Sequence, residues 1–274
     1  MATDGYPSEK LRRLEGRLKK LGTVTVALSG GCDSVFLAKA ARDTLGADSF
    51  AVTAHSPFFP AEEAERAGKA AQTIGIPCET VHVDLLADPC IRRNGPDRCY
   101  HCKRALFGAM LQFVCEHDLG ALCDGTNADD ALDYRPGLRA LHELGILSPL
   151  QEVGMTKRDI RFLSRERGLS TWDLPASACL ASRLPFGTEI DVAELKRVES
   201  AEEALRQRRF RGLWVRAHCG IARIELDPCD LQSCLDRRLQ VIGVLKDCGF
   251  RYVTLDLEGY RMGSLNPAMG VPPS

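Results

Sequence analysis

Residues 26–35 read Val-Ala-Leu-Ser-Gly-Gly-Cys-Asp-Ser-Val. An apolar run stops at two glycines flanked by Ser29, Asp33 and Ser34, and DSVFLAKAARDTLG follows as a helix ending at Gly46. A strand that leads straight into a helix through Ser-Gly-Gly presents first-turn N–H groups without intrahelical partners, at the positive end of the helix dipole. That is an anion site. The glycines let the main chain approach a phosphate, and the hydroxyls of Ser29 and Ser34 add donors. Asp33 would repel bare phosphate, so it suits Mg²⁺ or the adjoining backbone. The lysine of a Walker A loop is missing, and the G-x-G-x-x-G spacing of a dinucleotide fold is absent.

Outward from this loop, strands and helices alternate. Leu11, Leu14, Leu18 and Leu21 recur at helical spacing ahead of the strand VTVALS. SFAVTAHS reads as a second strand, PAEEAERAGKAAQTIG as a helix, CETVHVDLL as a third strand, CKRALFGAMLQFVCEHDLG as a helix and ALCDGTN as a fourth strand. This alternation predicts an α/β domain with a doubly wound parallel sheet covered on both faces. TKRDIRFLSRERGL continues as a helix. Beyond Pro185 and Gly187 the pattern changes to a helix (DVAELKRVESAEEALRQ), two short strands (LWVRAHCGIARIEL), one helix (LQSCLDRRLQVIGVLKDCG) and a closing strand (RYVTLDLEGY). The expected organisation is a nucleotide domain over 1–186 and a smaller α+β domain of mixed sheet over 187–274. The final PAMGVPPS reads as a loose tail.

Composition narrows the classes. The chain has 274 residues, 45% apolar and 27% charged, with a net charge of −1. Those values fit a globular protein with a core and give no support to a general nucleic-acid or membrane surface. No run is long enough for a membrane span and the N-terminus lacks a signal peptide's apolar core, so a cytoplasmic protein is expected.

Twelve cysteines are many for such a chain. A reducing compartment argues against a disulfide framework, and Cys78, Cys115 and Cys248 read as small buried hydrophobes. RCYHCKRALF sets Cys99 and Cys102 on one face of a helix start, beside Arg98, Lys103 and Arg104, which favour thiolates. Such a pair suits zinc, redox chemistry or half of an iron–sulfur site. PASACLASRLPFG carries Cys179, flanked by Arg183, in a small-residue loop. Zinc structural sites want four ligands and there is no second CxxC, whereas three thiolates suit a [4Fe–4S] cluster with one open iron. Cys32, Cys90 and Cys123 stand open as a fourth ligand. A helix N-terminus lowers a thiol pKa, which gives Cys32 a claim of its own, although variable filler of the loop is its simpler reading.

SGGCDS resembles the SGGxDS pyrophosphate loop of the ATP-pyrophosphatase superfamily. That resemblance implies ATP cleaved between its α and β phosphates, and an adenine-nucleotide hydrolase-like sheet with ATP at the carboxyl ends of its strands. Ala27, Ser29, Gly30, Gly31, Asp33 and Ser34 would then bind the nucleotide. Ala54, His55 and Ser56 would border the nucleoside, with Asp124, Gly125, Thr126 and Asn127 facing the phosphates. SGGCDS, RCYHCKRALF, DGTNADDALDYRPGLRAL, SPLQEVGMTKRDIRFLSRERGL, PASACLASRLPFG, VRAHCGIARIEL and FRYVTLDLEGYR occur in order from residue 29 to 261. Together they resemble the LarE family of ATP-dependent sulfur transferases over nearly the whole chain.

The resemblance implies adenylylation of a carboxylate of pyridinium-3,5-biscarboxylic acid mononucleotide and replacement of oxygen by sulfur, toward the nickel-pincer nucleotide. One form of the family gives up the sulfur of a single cysteine, which lies where this chain has Ala178. The other has CxxC plus a loop cysteine, proposed to hold a [4Fe–4S] cluster that carries the transferred sulfur. Cys99, Cys102 and Cys179 match the second form. The implied catalytic residues are Cys179, Asp33 and Arg183, the Mg²⁺ candidates Asp33 and Asp130, and the substrate contacts Arg183, Arg216, Arg223 and Glu225. Strand alternation puts Arg223 and Glu225 on the same face. Trp214 stands where many members carry arginine. Arg135 and Arg139 are candidates for phosphate or subunit contacts. The expected partners are a small nucleotide substrate, a sulfide donor and further copies of the chain, with neither nucleic acid nor membrane. A tRNA thiolase and an ATP-dependent amidase delivering ammonia are the rival enzymes, and a metal-binding adaptor the non-enzymatic one.

Overall fold

A computed structural model of the chain describes residues 5–132, 136–175, 177–210 and 212–261. Arg135 and the terminal PAMGVPPS lie outside the described residues. In chain order the elements are α1 (Gly5–Leu21), β1 (Val24–Ala27), α2 (Cys32–Leu45), β2 (Ser49–His55), α3 (Ala61–Ile74), β3 (Cys78–His82), the short α4 (Pro89–Arg92) and α5 (Arg98–Glu116). Then follow β4 (Ala121–Cys123), α6 (Pro136–Glu143), α7 (Pro149–Glu152), α8 (Lys157–Glu166), α9 (Val192–Arg206), β5 (Trp214–His218), β6 (Ile221–Glu225), α10 (Leu231–Asp236), α11 (Arg238–Asp247) and β7 (Tyr252–Leu255).

These elements form two compact units, one of residues 1–85 and 99–177, the other of 86–98 and 178–274. The stretch 86–98 joins the second through main-chain bonds from Gly187 N–H to Asn94 C=O at 2.9 Å and from Ile190 N–H to Arg92 C=O at 2.8 Å. The change of sequence pattern sits later, at 186/187.

The first unit is α/β, with an all-parallel sheet in the order β3-β2-β1-β4. All four residues of β1 are buried, as an inner parallel strand requires. Leu14 and Leu18 of α1, Val35 and Phe36 of α2, and Ile160 and Leu163 of α8 join Val24 and Val26 in the core. The order is compatible with a doubly wound sheet. The chain moves from β1 to β2 and β3 on one side, then returns to place β4 on the other. The carboxyl ends of β1 and β4 therefore flank a topological switch point, where open α/β sheets bind ligands.

The second unit holds a mixed sheet in the order β5-β6-β7, β5 antiparallel and β7 parallel to β6. The two-residue turn between β5 and β6 takes positive φ at Cys219 and Gly220, as a hairpin of native twist needs. Leu195, Val198 and Leu205 form the buried stripe of α9. The stretch 231–249, expected as one helix, is two. Arg237 leaves helical geometry at φ −100°, ψ 20°. Its guanidinium donates to Arg208 C=O at 3.1 Å and stacks 4.1 Å over Phe210. Cys115 is exposed, in contrast to the burial expected of it, while Cys78 and Cys248 are half-buried. Among the described residues no helix is long and apolar enough to cross a membrane.

Candidate functional site

The turn after β1 is built around Gly30. Its φ is +74°, and a Cβ there would lie 2.8 Å from Ala67 N and 2.9 Å from Glu63 O. Only glycine meets both demands. Arg66 Nε fixes the turn by donating to Gly30 C=O at 3.1 Å. The Ser29 N–H donates to Ser34 Oγ at 3.2 Å, the two hydroxyls lie 3.0 Å apart, and Ser34 Oγ donates to Gly31 C=O at 3.2 Å. The loop thus holds its shape through its own serines. The first-turn N–H groups of α2 face the switch point that the fold creates.

The chain after β4 closes against this loop. A Cβ on Gly125 would lie 2.9 Å from Ser34 N, so the two backbones meet there at a distance only glycine permits. Asp124 is buried and accepts from Thr126 Oγ1 and from Ser148 Oγ at 2.6 Å, so this acid shapes the loop. Asn127 N–H donates to Asp130 Oδ2 at 3.0 Å, and Asp129 N–H to Asn127 Oδ1 at 2.9 Å. Asp33 Oδ2 receives Lys157 Nζ at 2.6 Å and Asn127 Nδ2 at 3.5 Å, while Asp33 Oδ1 is buried without a partner. Burial pushes the Asp33 carboxyl above the usual range, and Lys157 works against that shift. At the end of β2, His55 is exposed with its ring 4.8 Å from that of His82, and the buried Ser56 Oγ has no partner. Both residues lie at the carboxyl end of β2.

The cysteines divide by environment. Cys32 is 2% exposed, its sulfur 3.9 Å from Ser164 Oγ and 3.7 Å from Trp172 C=O. Burial raises its pKa, overriding the lowering expected at a helix start, and it packs as loop filler. Cys123 is pushed up to about 12, chiefly by burial. Cys99 and Cys102 occupy the first turn of α5, the former exposed and the latter buried. Lys103, the next residue, lines a cavity of about 110 Å³ with Thr126, Asp130, Gly137, Leu138 and Leu141. The CxxC helix therefore begins beside the loop after β4.

In the second unit Cys179 precedes a turn of 3-10 helix over Leu180–Arg183, and Arg98 Nη1 points at its sulfur from 3.3 Å. Among the described residues, no three or more His, Cys, Asp or Glu side chains gather closely enough to hold a metal ion. Cys99 and Cys102 belong to the first unit and Cys179 to the second.

Two buried arginines strap the Cys179 turn. Arg183 Nη1 donates to Ala178 C=O at 2.5 Å and Cys179 C=O at 3.1 Å, and Arg216 Nη1 to Ser182 C=O at 2.7 Å. Each is held by a buried acid. Arg183 meets both oxygens of Glu202, at 2.9 and 3.0 Å, and Arg216 Nη2 meets Glu225 at 2.9 Å. Arg223 shares Glu225 at 2.6 Å, which confirms their common face, and also approaches Asp256 at 3.6 Å. Arg183 and Arg216 are nearly buried, whereas Arg223 keeps about a third of its side chain exposed. The Trp214 ring lies 3.7 Å from the Arg183 guanidinium and 4.5 Å from that of Arg216, and stacks on Tyr260 at 5.2 Å. An indole there attracts two cations through its π face, where a third arginine would repel them.

Sequence reasoning overlooked Lys157 and Glu202, although each breaks a local rule. Lys157 opens α8 as a cation at the positive end of the helix dipole. Glu202 falls on the apolar stripe of α9, in step with Leu195, Val198 and Leu205.

The chain matches no family profile. It is 39% identical over 261 residues to the pyridinium-3,5-bisthiocarboxylic acid mononucleotide synthase of Lactiplantibacillus plantarum, covering 95% of each chain. An uncharacterised protein of Synechocystis is 42% identical over 94% of this chain and 96% of its own. Another, from Methanocaldococcus jannaschii, is 30% identical over 92% and 98%. With that identity along nearly the whole of both chains, this protein belongs to the family of the pyridinium-3,5-bisthiocarboxylic acid mononucleotide synthase, the LarE family.

Proposed function

We propose that this protein is an ATP-dependent sulfur transferase acting on pyridinium-3,5-biscarboxylic acid mononucleotide to give the thiocarboxylate named in its Lactiplantibacillus relative. The observation that carries the reading is the 39% identity over 95% of both chains. The loop geometry supports the ATP step. A carboxylate resists substitution because its oxygen is a poor leaving group, and adenylylation removes that obstacle. A substrate carboxylate oxygen attacks the α-phosphorus, the bond from that phosphorus to the bridging oxygen breaks, and pyrophosphate departs with the electron pair. The N–H groups over Gly30 and Gly31, with the hydroxyls of Ser29 and Ser34, receive the departing charge. His55 and Ser56 border the nucleoside, and Gly125 and Thr126 flank the phosphates.

Asp33 and Asp130 would hold Mg²⁺, which offsets charge on the phosphates when bound. The buried, unpartnered Asp33 Oδ1 fits a hard cation that takes carboxylate oxygens. The adenylylated acyl carbon then accepts a sulfur nucleophile, and its bond to the AMP oxygen breaks with the electron pair leaving on AMP. Cys99, Cys102 and Cys179 would hold a [4Fe–4S] cluster, which presents the transferable sulfide when loaded. Three thiols with guanidinium and ammonium neighbours suit such an anionic group, and Arg98 already directs an N–H at Cys179. Arg223 reaches substrate anions, while Arg183, Arg216 and Glu225 set the geometry around them. A separate sulfide donor reloads the site, and the chain works as a cytoplasmic homo-oligomer.

The test uses ATP labelled at the α-phosphate with the pyridinium dicarboxylate nucleotide and sulfide under anaerobic conditions. Labelled AMP should appear only when the acceptor is present, and Asp33→Asn should abolish it. Labelled ADP as the product, or AMP formation indifferent to the acceptor, would overturn the reading.

A further inference from the structure

The N-terminus of α8 is capped without help from the ion pair between Lys157 and Asp33. The helix is already capped by Thr156, whose hydroxyl accepts from Asp159 N–H at 3.2 Å, and by the reciprocal bond from Thr156 N–H to Asp159 Oδ2 at 3.0 Å. The Lys157 N–H is taken by Asp129 Oδ2 at 2.8 Å. A cation in the first helical turn opposes the dipole, so the helix alone favours another residue there. What the ammonium does is neutralise a carboxylate that is mostly withdrawn from water, from 2.6 Å, beside a second carboxylate oxygen with no partner.

We propose that Lys157 is a positioning residue that stands in for the metal. Without nucleotide its ammonium occupies the cation's place at Asp33. With metal and ATP bound, Asp33 would serve the metal and the Lys157 ammonium would turn to a phosphate oxygen. The inference rests on the reading that this loop binds ATP with Mg²⁺. It makes metal and nucleotide mutually dependent. An ammonium on Asp33 repels a divalent ion that comes alone, and the phosphates give the displaced ammonium a new partner. By linkage each ligand must then raise the other's affinity by the same factor.

Mn²⁺ binding measured by electron paramagnetic resonance, with and without a non-hydrolysable ATP analogue, reads this coupling without turnover. The wild type should bind Mn²⁺ at least about 5-fold tighter when the analogue is present, the lower end of ordinary coupling between sites. Lys157→Met should bind Mn²⁺ alone more tightly, bind the analogue more weakly and show a smaller coupling factor than the wild type, the remainder coming from direct attraction between metal and phosphates. Lys157→Arg, which keeps the charge, should retain most of the coupling and serves if the methionine variant folds poorly. Unchanged Mn²⁺ affinity and full coupling in Lys157→Met would overturn the proposal. Asp33→Asn separates the two readings. If it leaves Mn²⁺ and analogue binding intact, the assignment of the loop itself fails. If it abolishes metal binding while Lys157→Met behaves as wild type, only the exchange fails.

Discussion

Glu202 is the acid on which the Cys179 turn depends, and Glu202→Gln tests that dependence. The carboxylate is fully buried and accepts four bonds, two from Arg183, one from Arg206 at 3.2 Å and one from Val215 N–H at 3.0 Å. Glutamine keeps the volume but loses the charge and turns one acceptor into a donor facing other donors. Arg183, whose side chain is 6% exposed, is left as a buried charge without its counter-ion. Removing one partner of such a pair costs roughly 3–5 kcal/mol. At roughly 2–4 °C per kcal/mol for a chain of this size, the unfolding midpoint should fall by about 6–20 °C. Denaturant and thermal unfolding measure the loss directly. The double variant Arg183→Met with Glu202→Gln should recover part of it, because no unpaired guanidinium then remains at the centre. A loss below about 1 kcal/mol, the size seen for exposed pairs, would refute the reasoning. So would additivity of the two single changes.

Three other outcomes follow from the same geometry. Gly30→Ala should abolish ATP-dependent AMP formation and lower stability, since the new Cβ meets backbone at 2.8 Å and φ is +74°; normal activity in a folded variant contradicts the loop's role. Cys32→Ala should lose about 1 kcal/mol of stability and keep its ATP chemistry, as a small deletion in a packed site does; a folded but inactive variant would make Cys32 a reactive group. His218 has its pKa lowered by burial, then by Arg223 and Arg216, and its Nε2 has no partner. The unfolded imidazole therefore takes up a proton before the folded one does. Stability should decline as pH falls below about 6.5 toward the lower folded value, and His218→Gln should flatten that decline in pH-dependent denaturation curves.

Much of the fold was legible because periodicity reports burial. The fully buried VTVA strand, the leucine stripe of α1 and the alternation of strand with helix all follow from that, and so does the glycine turn at Gly30. Strand order was not legible, since nothing local in ALCDGTN says on which side of β1 it will pair. The single helix expected over 231–249 divides because Arg237 is anchored to Arg208 and Phe210, partners far away in sequence. The candidate site was read by residue type, which singled out Arg183, Arg216, Arg223 and Glu225 as candidates. It did not reveal that Arg183 and Arg216 turn inward to hold the cysteine turn. Burial of a charge depends on its partner, and Glu202 and Lys157 acquire meaning only through Arg183 and Asp33.

The central proposal is that the transferred sulfur is a sulfide presented at a site held by Cys99, Cys102 and Cys179, so that no cysteine is consumed. Anaerobic turnover with Mg²⁺, ATP, sulfide and the pyridinium dicarboxylate nucleotide, followed by intact-protein mass spectrometry, tests it most directly. The account predicts several thiocarboxylate products per chain with every cysteine intact, and loss of both product and bound iron in Cys179→Ala. No bound iron, at most one product per chain, and a cysteine converted to dehydroalanine would contradict it.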